Sequence, residues 1–194
     1  MLTAVLLVAV AATTPATAAL QSSPAADLVG VTLDACYPFA SGNLKLGGSL
    51  DEDNKSLADL KISSGLANKT MERLGRSNVA FISQSIIGER ANGDASVVLA
   101  VGGRMQGCRS ILLAPAGIPY ADEAAKVFEA AGWKEMPATN SPNAAVKRRM
   151  FVKLDAKGRP YLVNMFSGSL PESDFQIMTT VNAIPEDVQI PKGN

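Results

Sequence analysis

The stretch that decides the fold is residues 95–115, ASVVLAVGGRMQGCRSILLAP, in which two apolar runs flank a diglycine. Gly102 and Gly103 can adopt the positive φ angles that a tight turn between antiparallel strands requires. Gly107 allows a bend or a close backbone approach where the second run begins. The stretch therefore predicts a β-hairpin that places Cys108 on its second strand and ends at a proline.

The same residues resemble a phosphate-binding loop in the spacing of their glycines. Gly102 and Gly107 have the G-x-x-x-x-G spacing. However, Cys108 stands where the lysine of such a loop would be, and Arg109 stands where its magnesium-binding serine or threonine would be. No helix-start signal follows, so the pattern favours a turn over a nucleotide site. Arg104 and Arg109 are candidates for contact with an anion or another ligand, although such residues more often are solvated or pair with surface carboxylates.

A helix followed by three strand-like runs occurs twice along the chain, in residues 66–115 and in residues 121–185. Helical LANKTMERLG in the first and helical EAAKVFEAAG in the second share Ala, Lys, Glu and Gly at the same relative positions. This predicts an internal αβββ duplication, with a chance similarity as the alternative. Adjacent antiparallel hairpins covered by helices predict an α+β fold, with a mostly antiparallel sheet of about six strands and helices packed on one face.

The first 18 residues have the pattern of a secretory signal peptide. An apolar run from Leu2 to Ala12 is followed by Pro15 and by small residues ending at Ala18. The run is about half of the roughly 20 residues that a membrane-spanning helix needs, so no stable span is expected after cleavage. The sequence therefore predicts a periplasmic or secreted protein, with residues 19–194 forming a single α+β domain.

The chain has two cysteines, Cys36 and Cys108, and the predicted export bears on whether they form a disulfide. An even number of cysteines in an oxidising compartment predicts a disulfide, with two separate buried thiols as the alternative. Leu28 and Val31 begin a helical spacing of apolar residues ahead of Pro38, which is expected to end or kink this helix near Cys36. The predicted bond would hold the first helix against the sheet.

Composition excludes several chemistries. Acidic and basic residues both number 18, which together with export and few aromatic residues argues against a nucleic-acid partner. The absence of histidine removes the Ser-His-Asp and Cys-His mechanisms and most zinc sites. The acidic residues near position 51 lack the glycine and glutamate of a calcium loop, so residues 41–56 are expected to form a solvated loop. No catalytic, cofactor-binding or metal-binding residue is assigned, and no cofactor is expected.

Two functions of different classes fit these patterns. The first is an exported, non-catalytic domain that binds a small ligand or a protein partner on the sheet or at its edges. The alternative is an extracytoplasmic hydrolase that uses paired carboxylates, drawn from Asp51, Asp53, Glu89, Glu172 and Asp174. A third possibility, a purely structural or interaction role in the cell envelope, would show as a large exposed apolar patch. Because no catalytic motif occurs, the sequence favours the binding domain over an enzyme.

Overall fold

A computed structural model describes residues 22–46, 49–77, 85–102, 107–115, 120–137, 140, 145–168 and 174–185. The signal peptide predicted for residues 1–18 lies outside the described residues. The helices are α1 (Pro24–Val31), α2 (Tyr37–Ala40), α3 (Leu50–Asp59), α4 (Asn68–Arg76) and α5 (Tyr120–Ala130), and a π-helical turn (Thr32–Cys36) joins α1 to α2. The strands are β1 (Ser63–Ser64), β2 (Ser85–Asn92), β3 (Ala95–Gly102), β4 (Gly107–Leu113), β5 (Lys134–Met136), β6 (Val146–Leu154), β7 (Pro160–Gly168) and β8 (Phe175–Ala183).

The strands form one antiparallel sheet in the order β1-β2-β3-β4-β8-β7-β6-β5. The α+β class and the antiparallel sheet are thus confirmed, but the described sheet has eight strands rather than about six. The two additional strands are the edges, β1 and β5, with two and three residues. Runs this short carry no recognisable alternation of apolar and polar residues, so a sequence pattern does not reveal them.

The predicted hairpin is formed by β3 and β4, which pair from Ser96 with Leu113 to Gly102 with Gly107. Gly102 has a φ of 109°, which glycine adopts easily, so the turn begins where the diglycine predicted it. The turn residues 103–106 lie outside the described part of the chain. Both strands are almost entirely buried, and they lie near the middle of the sheet.

Helices cover both faces of this hairpin, which corrects the expectation that helices pack on one face only. We call the face that carries α1, α2, α3 and α5 the helical face, and its core includes Val97 and Leu99. α4 packs on the opposite face, the second face, where Leu74 belongs to a buried cluster with Val98 and Ile111. The cause is the continuous apolar run of β3, because a strand that is hydrophobic on both sides needs cover on both.

The predicted helix before Pro38 is present, and it widens into the π-helical turn where a kink was expected. The N–H of Tyr37 donates to the carbonyl of Thr32, five residues back. Pro38 has no N–H, and its ring would crowd the preceding turn of a regular α-helix, so a wider turn relieves this conflict. The helix then continues to Ala40. The turn ends at Cys36, which it brings against the sheet.

α3 is a helix in a region where the sequence predicted a solvated loop, so that prediction was wrong. Ser49 Oγ accepts a hydrogen bond from the N–H of Glu52 at 3.4 Å and donates to its carboxylate at 3.1 Å. This Ser-x-x-Glu pattern, in which Ser49 caps the first turn, is the start signal that the sequence prediction overlooked. Asp51 adds negative charge at the positive end of the helix. Leu57, which is 1% exposed, packs the helix into the core.

α3 and α5 occupy equivalent places in the two halves of the sheet. Each helix precedes an edge strand, and each half then adds three long strands, so that β4 and β8 meet at the centre. The element equivalent to α5 is therefore α3. The repeats predicted from sequence instead match α5 to α4, which lies on the second face. The duplication stays a hypothesis, with residues 50–113 and 120–183 as the equivalent halves.

The two equivalent helices end in the same backbone arrangement. Ile62 N donates to Leu57 O at 2.9 Å, and Trp133 N donates to Phe128 O at 3.0 Å. Ile62 and Trp133 are both buried, and Trp133 packs edge-on against Phe128 with ring centroids 6.4 Å apart. Trp133 thus packs back on its own helix.

A basic side chain caps each of these helices at its end. Arg90 on β2 donates to the carbonyl of Leu60 at 2.5 Å, and Lys153 on β6 donates to the carbonyl of Ala131 at 2.7 Å. A cation is favourable there because the carbonyls at a helix C-terminus carry partial negative charge. The same contact in both halves supports the duplication hypothesis, since the two residues occupy the same place relative to their edge strands.

Gly88 on β2 lies too close to β1 for any side chain, because a Cβ atom there would lie 2.2 Å from Ser63 O and 2.9 Å from Ile62 Cγ2. We expect Gly88→Ala to lower the free energy of unfolding by about 2 kcal/mol, since backbone must move to make room. Urea unfolding followed by Trp133 fluorescence measures the loss. Gly75→Ala is the control, because nothing lies within 4 Å of a Cβ there. Equal effects of the two substitutions would contradict the close approach.

Candidate functional site

The predicted disulfide between Cys36 and Cys108 is present. It joins the end of the π-helical turn to β4 across a sequence separation of 72 residues. Both cysteines are at most 1% exposed, so the bond is a structural link without an accessible sulfur. A hydrogen bond of 2.8 Å between the hydroxyls of Thr32 and Thr179 connects the same helical turn to β8. The first helix is therefore fixed to the two central strands of the sheet.

Of the two arginines predicted to contact an anion or another ligand, Arg104 lies outside the described residues. Arg109 lies on β4, in register between Ala100 and Thr180. Cys108 beside it points to the helical face, so Arg109 points to the second face. The side chain is half-buried. Its role in binding stays a prediction.

The larger cleft, with a volume of about 760 Å³, lies between the first helix, the end of α3 and the edge of β2. Its buried carboxylate, Asp27, accepts a hydrogen bond from Asn92 Nδ2 at 2.6 Å and from Ser22 Oγ at 2.7 Å. Exposed charged side chains line its rim: Asp34, Asp59 and Lys61. The cleft is therefore a shallow, mixed-charge groove whose buried acid is already bound.

Arg90 links three elements at the base of this cleft. One end of its guanidinium donates to Leu60 O on the helical side, and Nη1 lies 3.8 Å from Asp27 Oδ1 on α1. Gly30 leaves room for the guanidinium, since a Cβ there would lie 3.3 Å from Nη1. Nε is buried without a hydrogen-bond partner among the described residues. Arg90 is thus held by the protein itself, and few buried groups of the larger cleft are left for a ligand.

The smaller cleft, with a volume of about 340 Å³, lies on the helical face between the first turn of α5 and the ends of β6, β7 and β8. Arg149 crosses it and forms ion pairs with Glu135 at 2.5 Å and with Asp122 at 2.9 Å. The hydrogen bond to Glu135 raises the pKa of Arg149 above its ordinary value, so the guanidinium stays charged. Other polar side chains that line this cleft come from different elements: Tyr120, Asn140, Lys147, Ser167 and Gln176.

The carboxylates named for the hydrolase alternative are dispersed. Asp51 and Asp53 lie in the first turn of α3, on the helical face. Glu89 accepts a hydrogen bond at the start of α4, and Asp174 pairs with an arginine near the end of α4, on the second face. None of these four lines either cleft. Glu172 lies outside the described residues. The hydrolase stays a hypothesis, and this arrangement gives it no support.

The open sheet face is the part of the second face formed by β6, β7 and β8. Phe151, Val163 and Ile177 point from these strands into the core, so their neighbours point away from it. In the described chain the helix on this side is α4, whose buried cluster is drawn from β3 and β4, with Phe175 and Met178 of β8 packed against its border. The outward side chains of the open sheet face are Val146, Arg148, Met150, Val152, Leu154, Leu162, Asn164, Phe166, Met178, Thr180 and Asn182.

Large apolar side chains of the open sheet face are exposed. Val146 is 49% exposed and Leu154 is 58% exposed, and Leu162 and Phe166 are half-buried. The third large hydrophobic side chain of comparable exposure in the described chain is Met71, which lies on α4 on the same side of the sheet. Apolar exposure in this structure is thus concentrated on the second face.

The charge of the open sheet face comes from Arg148. Its guanidinium carbon lies 5.8 Å from the ring centroid of Phe166, and Nε donates to Asn164 Oδ1 at 3.0 Å. The side chain therefore extends over β7. No acidic residue is among the outward side chains of this face, and within the described part of the chain Arg148 forms no ion pair.

Among the described residues, no group of three or more His, Cys, Asp or Glu side chains is placed to hold a metal ion. In the same part of the chain, no helix is both long enough and apolar enough to cross a membrane. No protein family, curated protein or solved structure matches this chain. Its function must therefore be inferred from its own surfaces.

Proposed function

We propose that this protein is an exported, non-catalytic binding domain, and that the open sheet face docks a protein partner. The observation that carries the proposal is the apolar character of β6 on the side away from the core. Four of its five outward residues are hydrophobic, and the fifth is Arg148. An antiparallel sheet with one solvated face normally carries polar residues there. An apolar face of this kind is typical of an interaction surface.

The energetics favour an occupant for this face. Full burial of a leucine or valine side chain is worth about 2 kcal/mol, and Leu154 and Val146 are each about half exposed. Covering these two side chains would therefore contribute about 2 kcal/mol in total. The half-buried Met150, Leu162 and Phe166 would add to this gain. Together they provide apolar area of the kind that protein interfaces bury.

The chemistry of the partner follows from the charge on this face. Arg148 forms no ion pair within the described residues, and its guanidinium lies near the Phe166 ring and donates to Asn164 Oδ1 from both Nε and Nη2. A preorganised guanidinium binds a carboxylate with two parallel hydrogen bonds. A second copy of this face would instead bring two arginines together. The partner is therefore a different protein whose surface presents apolar side chains around an aspartate or a glutamate.

Export belongs to the proposal. The signal-peptide pattern of residues 1–18 supports it, and so does the buried disulfide, because such bonds form and persist in oxidising compartments. Binding without catalysis is supported by the absence of histidine from the sequence and by the dispersal of the carboxylates. The partner is thus expected outside the cytosol.

Photo-crosslinking in the secreting host tests the docking surface. Leu162 is replaced by the photoreactive p-benzoylphenylalanine, and in a matched strain Glu129, which is exposed on α5, is replaced instead. We expect position 162 to give one discrete adduct, whose cross-linked partner peptide contains an acidic residue among apolar ones. Adding Arg148→Glu should lower the yield about tenfold, because the charge is reversed at the centre of the interface. Lys126→Glu, an equal charge change on α5, should leave the yield unchanged.

Three outcomes would overturn the proposal. The first is equal labelling from positions 162 and 129, which would indicate random collisions. The second is an adduct with the mass of a second copy of the chain or of a lipid, which would assign another occupant to the face. The third is an adduct that persists at full yield with Arg148→Glu, since circular dichroism can verify that this exposed substitution leaves the fold intact.

A further inference from the structure

We propose that the partner docks an acidic, amphipathic helix on the open sheet face, at the place that corresponds to α4 in the other half of the sheet. This inference rests on the proposed function and names the kind of surface that the partner contributes. Its basis is that the two halves share one pairing register, whereas among the described residues only the first half carries a helix on the second face.

The pairing register shows which residues of the two halves are equivalent. In the first half, the residue after Ile62 pairs with Glu89 on β2. In the second half, the residue after Trp133 pairs with Val152 on β6. Glu89 and Val152 are therefore equivalent, because the two helix ends before them are equivalent.

The equivalence continues across the sheet and closes at its centre. Followed from strand to strand, it makes Arg109 on β4 equivalent to Thr180 on β8. These two residues also pair with each other. Two equivalent residues that pair with each other are what a two-fold relation between the halves requires. The register alone thus relates every position of one half to a position of the other.

Each half has a row of residues on the second face that are opposite one another on neighbouring strands and therefore point the same way. The row that we call the covered row consists of Glu89, Val98, Ile111 and Met178. The row that we call the uncovered row consists of Val152, Leu162 and Asn182. Val98 and Ile111 are fully buried, whereas no residue of the uncovered row is buried.

α4 lies along the covered row. At its start the N–H of Ala67 donates to Glu89 Oε1 at 3.0 Å, and near its end Leu74 belongs to the buried cluster with Val98 and Ile111. The chain rises about 10 Å between Ala67 and Leu74, which is also about the width of two strand spacings. The helix therefore crosses the strands and advances about three to four residues per strand.

The second half has no described counterpart of α4. In the first half, α4 lies between β1 and β2 in the chain. The described residues between β5 and β6, at positions 137, 140 and 145, form no helix. Leu162 is therefore left half-buried, and Leu154, which is two residues from Val152 on the same side of β6, is 58% exposed. A helix from a partner would bury these side chains as α4 buries Val98.

A second helix fits beside α4. The covered row crosses β8 at Met178 and the uncovered row crosses it at Asn182. Four residues of strand separate the two crossings, which places the rows about 13 Å apart. Packed helices need about 8 to 10 Å between their axes. A helix along the uncovered row would thus lie next to α4 without overlapping it.

The partner helix must carry the opposite charge to α4. α4 ends in two arginines that pair with Asp174. Beside the uncovered row the charged group is Arg148, whose guanidinium donates to Asn164, two residues from Leu162. A helix over Leu162 therefore turns one flank to this guanidinium, which favours a carboxylate there. The basic α4 of a second copy would be repelled.

Photo-crosslinking from the uncovered row tests the inference. Val152, Leu162 or Asn182 of the full chain is replaced by p-benzoylphenylalanine, and mass spectrometry identifies the linked partner residues. A helix should give three sites in one partner segment, with about seven residues from the first site to the last and the middle site about halfway. An extended segment rises about 3.3 Å per residue and would span about three. We expect an acidic residue within one helical turn of the site linked from position 162.

Val146 provides the matched control, because it is 49% exposed on the same face but lies six residues from Val152 along β6. A residue linked from position 146 should lie outside the seven-residue segment. Circular dichroism of each labelled chain verifies that the fold is intact, so a missing adduct is not mistaken for unfolding.

The same adducts distinguish failure of this inference from failure of the proposed function. Sites from positions 152 and 182 that lie about three residues apart, or in separate partner segments, would overturn the helix and leave the docking surface intact. The absence of a discrete adduct from position 162 would overturn the docking surface and the helix with it. A link to residues of the same chain would do so too, since the chain would then cover its own sheet.

Discussion

Replacing Cys36 and Cys108 together by alanine is expected to lower the free energy of unfolding by about 4 kcal/mol. The reason is that a cross-link between residues 72 positions apart removes much of the conformational entropy of the unfolded chain. The bond also fixes the π-helical turn to β4, so the first helix loses its covalent attachment to the sheet. Urea unfolding followed by Trp133 fluorescence measures the loss. For a domain of this size it is a large share of total stability.

Two controls separate the bond from the packing of the cysteines. Cys36→Ala alone should cost as much as the double variant, because one substitution already breaks the link. The wild-type protein kept reduced during unfolding should show the same loss with no substitution at all. A loss below about 1 kcal/mol in all three cases would contradict the structural role assigned to the bond.

Phe128→Ala is expected to lower the free energy of unfolding by about 4 kcal/mol, because Phe128 is fully buried and its removal leaves a cavity. Its ring stacks on Phe151 with centroids 5.0 Å apart. Leu57→Ala, at the equivalent place in the other half, should cost about 3 kcal/mol. Leu154→Ala is the matched control and should change stability by less than about 0.5 kcal/mol, since the side chain is mostly exposed. The same unfolding assay compares all three.

The Leu57 result distinguishes the structure from the loop that the sequence predicted. In a solvated loop, Leu57→Ala would cost no more than Leu154→Ala. In the structure, Leu57 belongs to the main core on the helical face. Equal effects of the two leucine substitutions would therefore contradict both α3 and the equivalence of the two halves.

The central hairpin and the disulfide could be predicted because each depends on local chemistry. A diglycine between apolar runs leaves few alternatives to a turn, and Gly102 has the expected positive φ. The chain has two cysteines and a signal-peptide pattern, which together predicted one disulfide. The edge strands could not be predicted, because two or three residues are too few to show an alternation of apolar and polar side chains. α3 was missed because its acidic first turn resembled a loop, although Ser49 caps that turn by accepting from the N–H of Glu52.

The division of β6 into two sides could be predicted, but not which side is buried. Arg149 and Lys153 share the helical face with the buried Phe151, although alternation alone would assign two charges to solvent. Their long stems lie along apolar surface while their charged ends reach Glu135 and the carbonyl of Ala131. The position of α5 decides which side of β6 is buried. Because α5 covers the side with Arg149 and Lys153, the apolar side chains on the other side of β6 stay exposed.

The smaller cleft could not be predicted from the sequence for a related reason. Tyr120, Lys147 and Ser167 come from three elements, and no motif links them. Each residue is unremarkable in the sequence. Only the fold shows that they share a cleft in which Arg149 binds Asp122 and Glu135.

The most direct measurement of the binding surface is the yield of photo-adduct from position 162 relative to that from position 129 in the secreting host. If the open sheet face docks a partner, we predict a yield at least about tenfold higher from position 162, and its loss with Arg148→Glu. Equal yields from the two positions, or a yield that Arg148→Glu does not change, would contradict the assignment of this face as the binding surface.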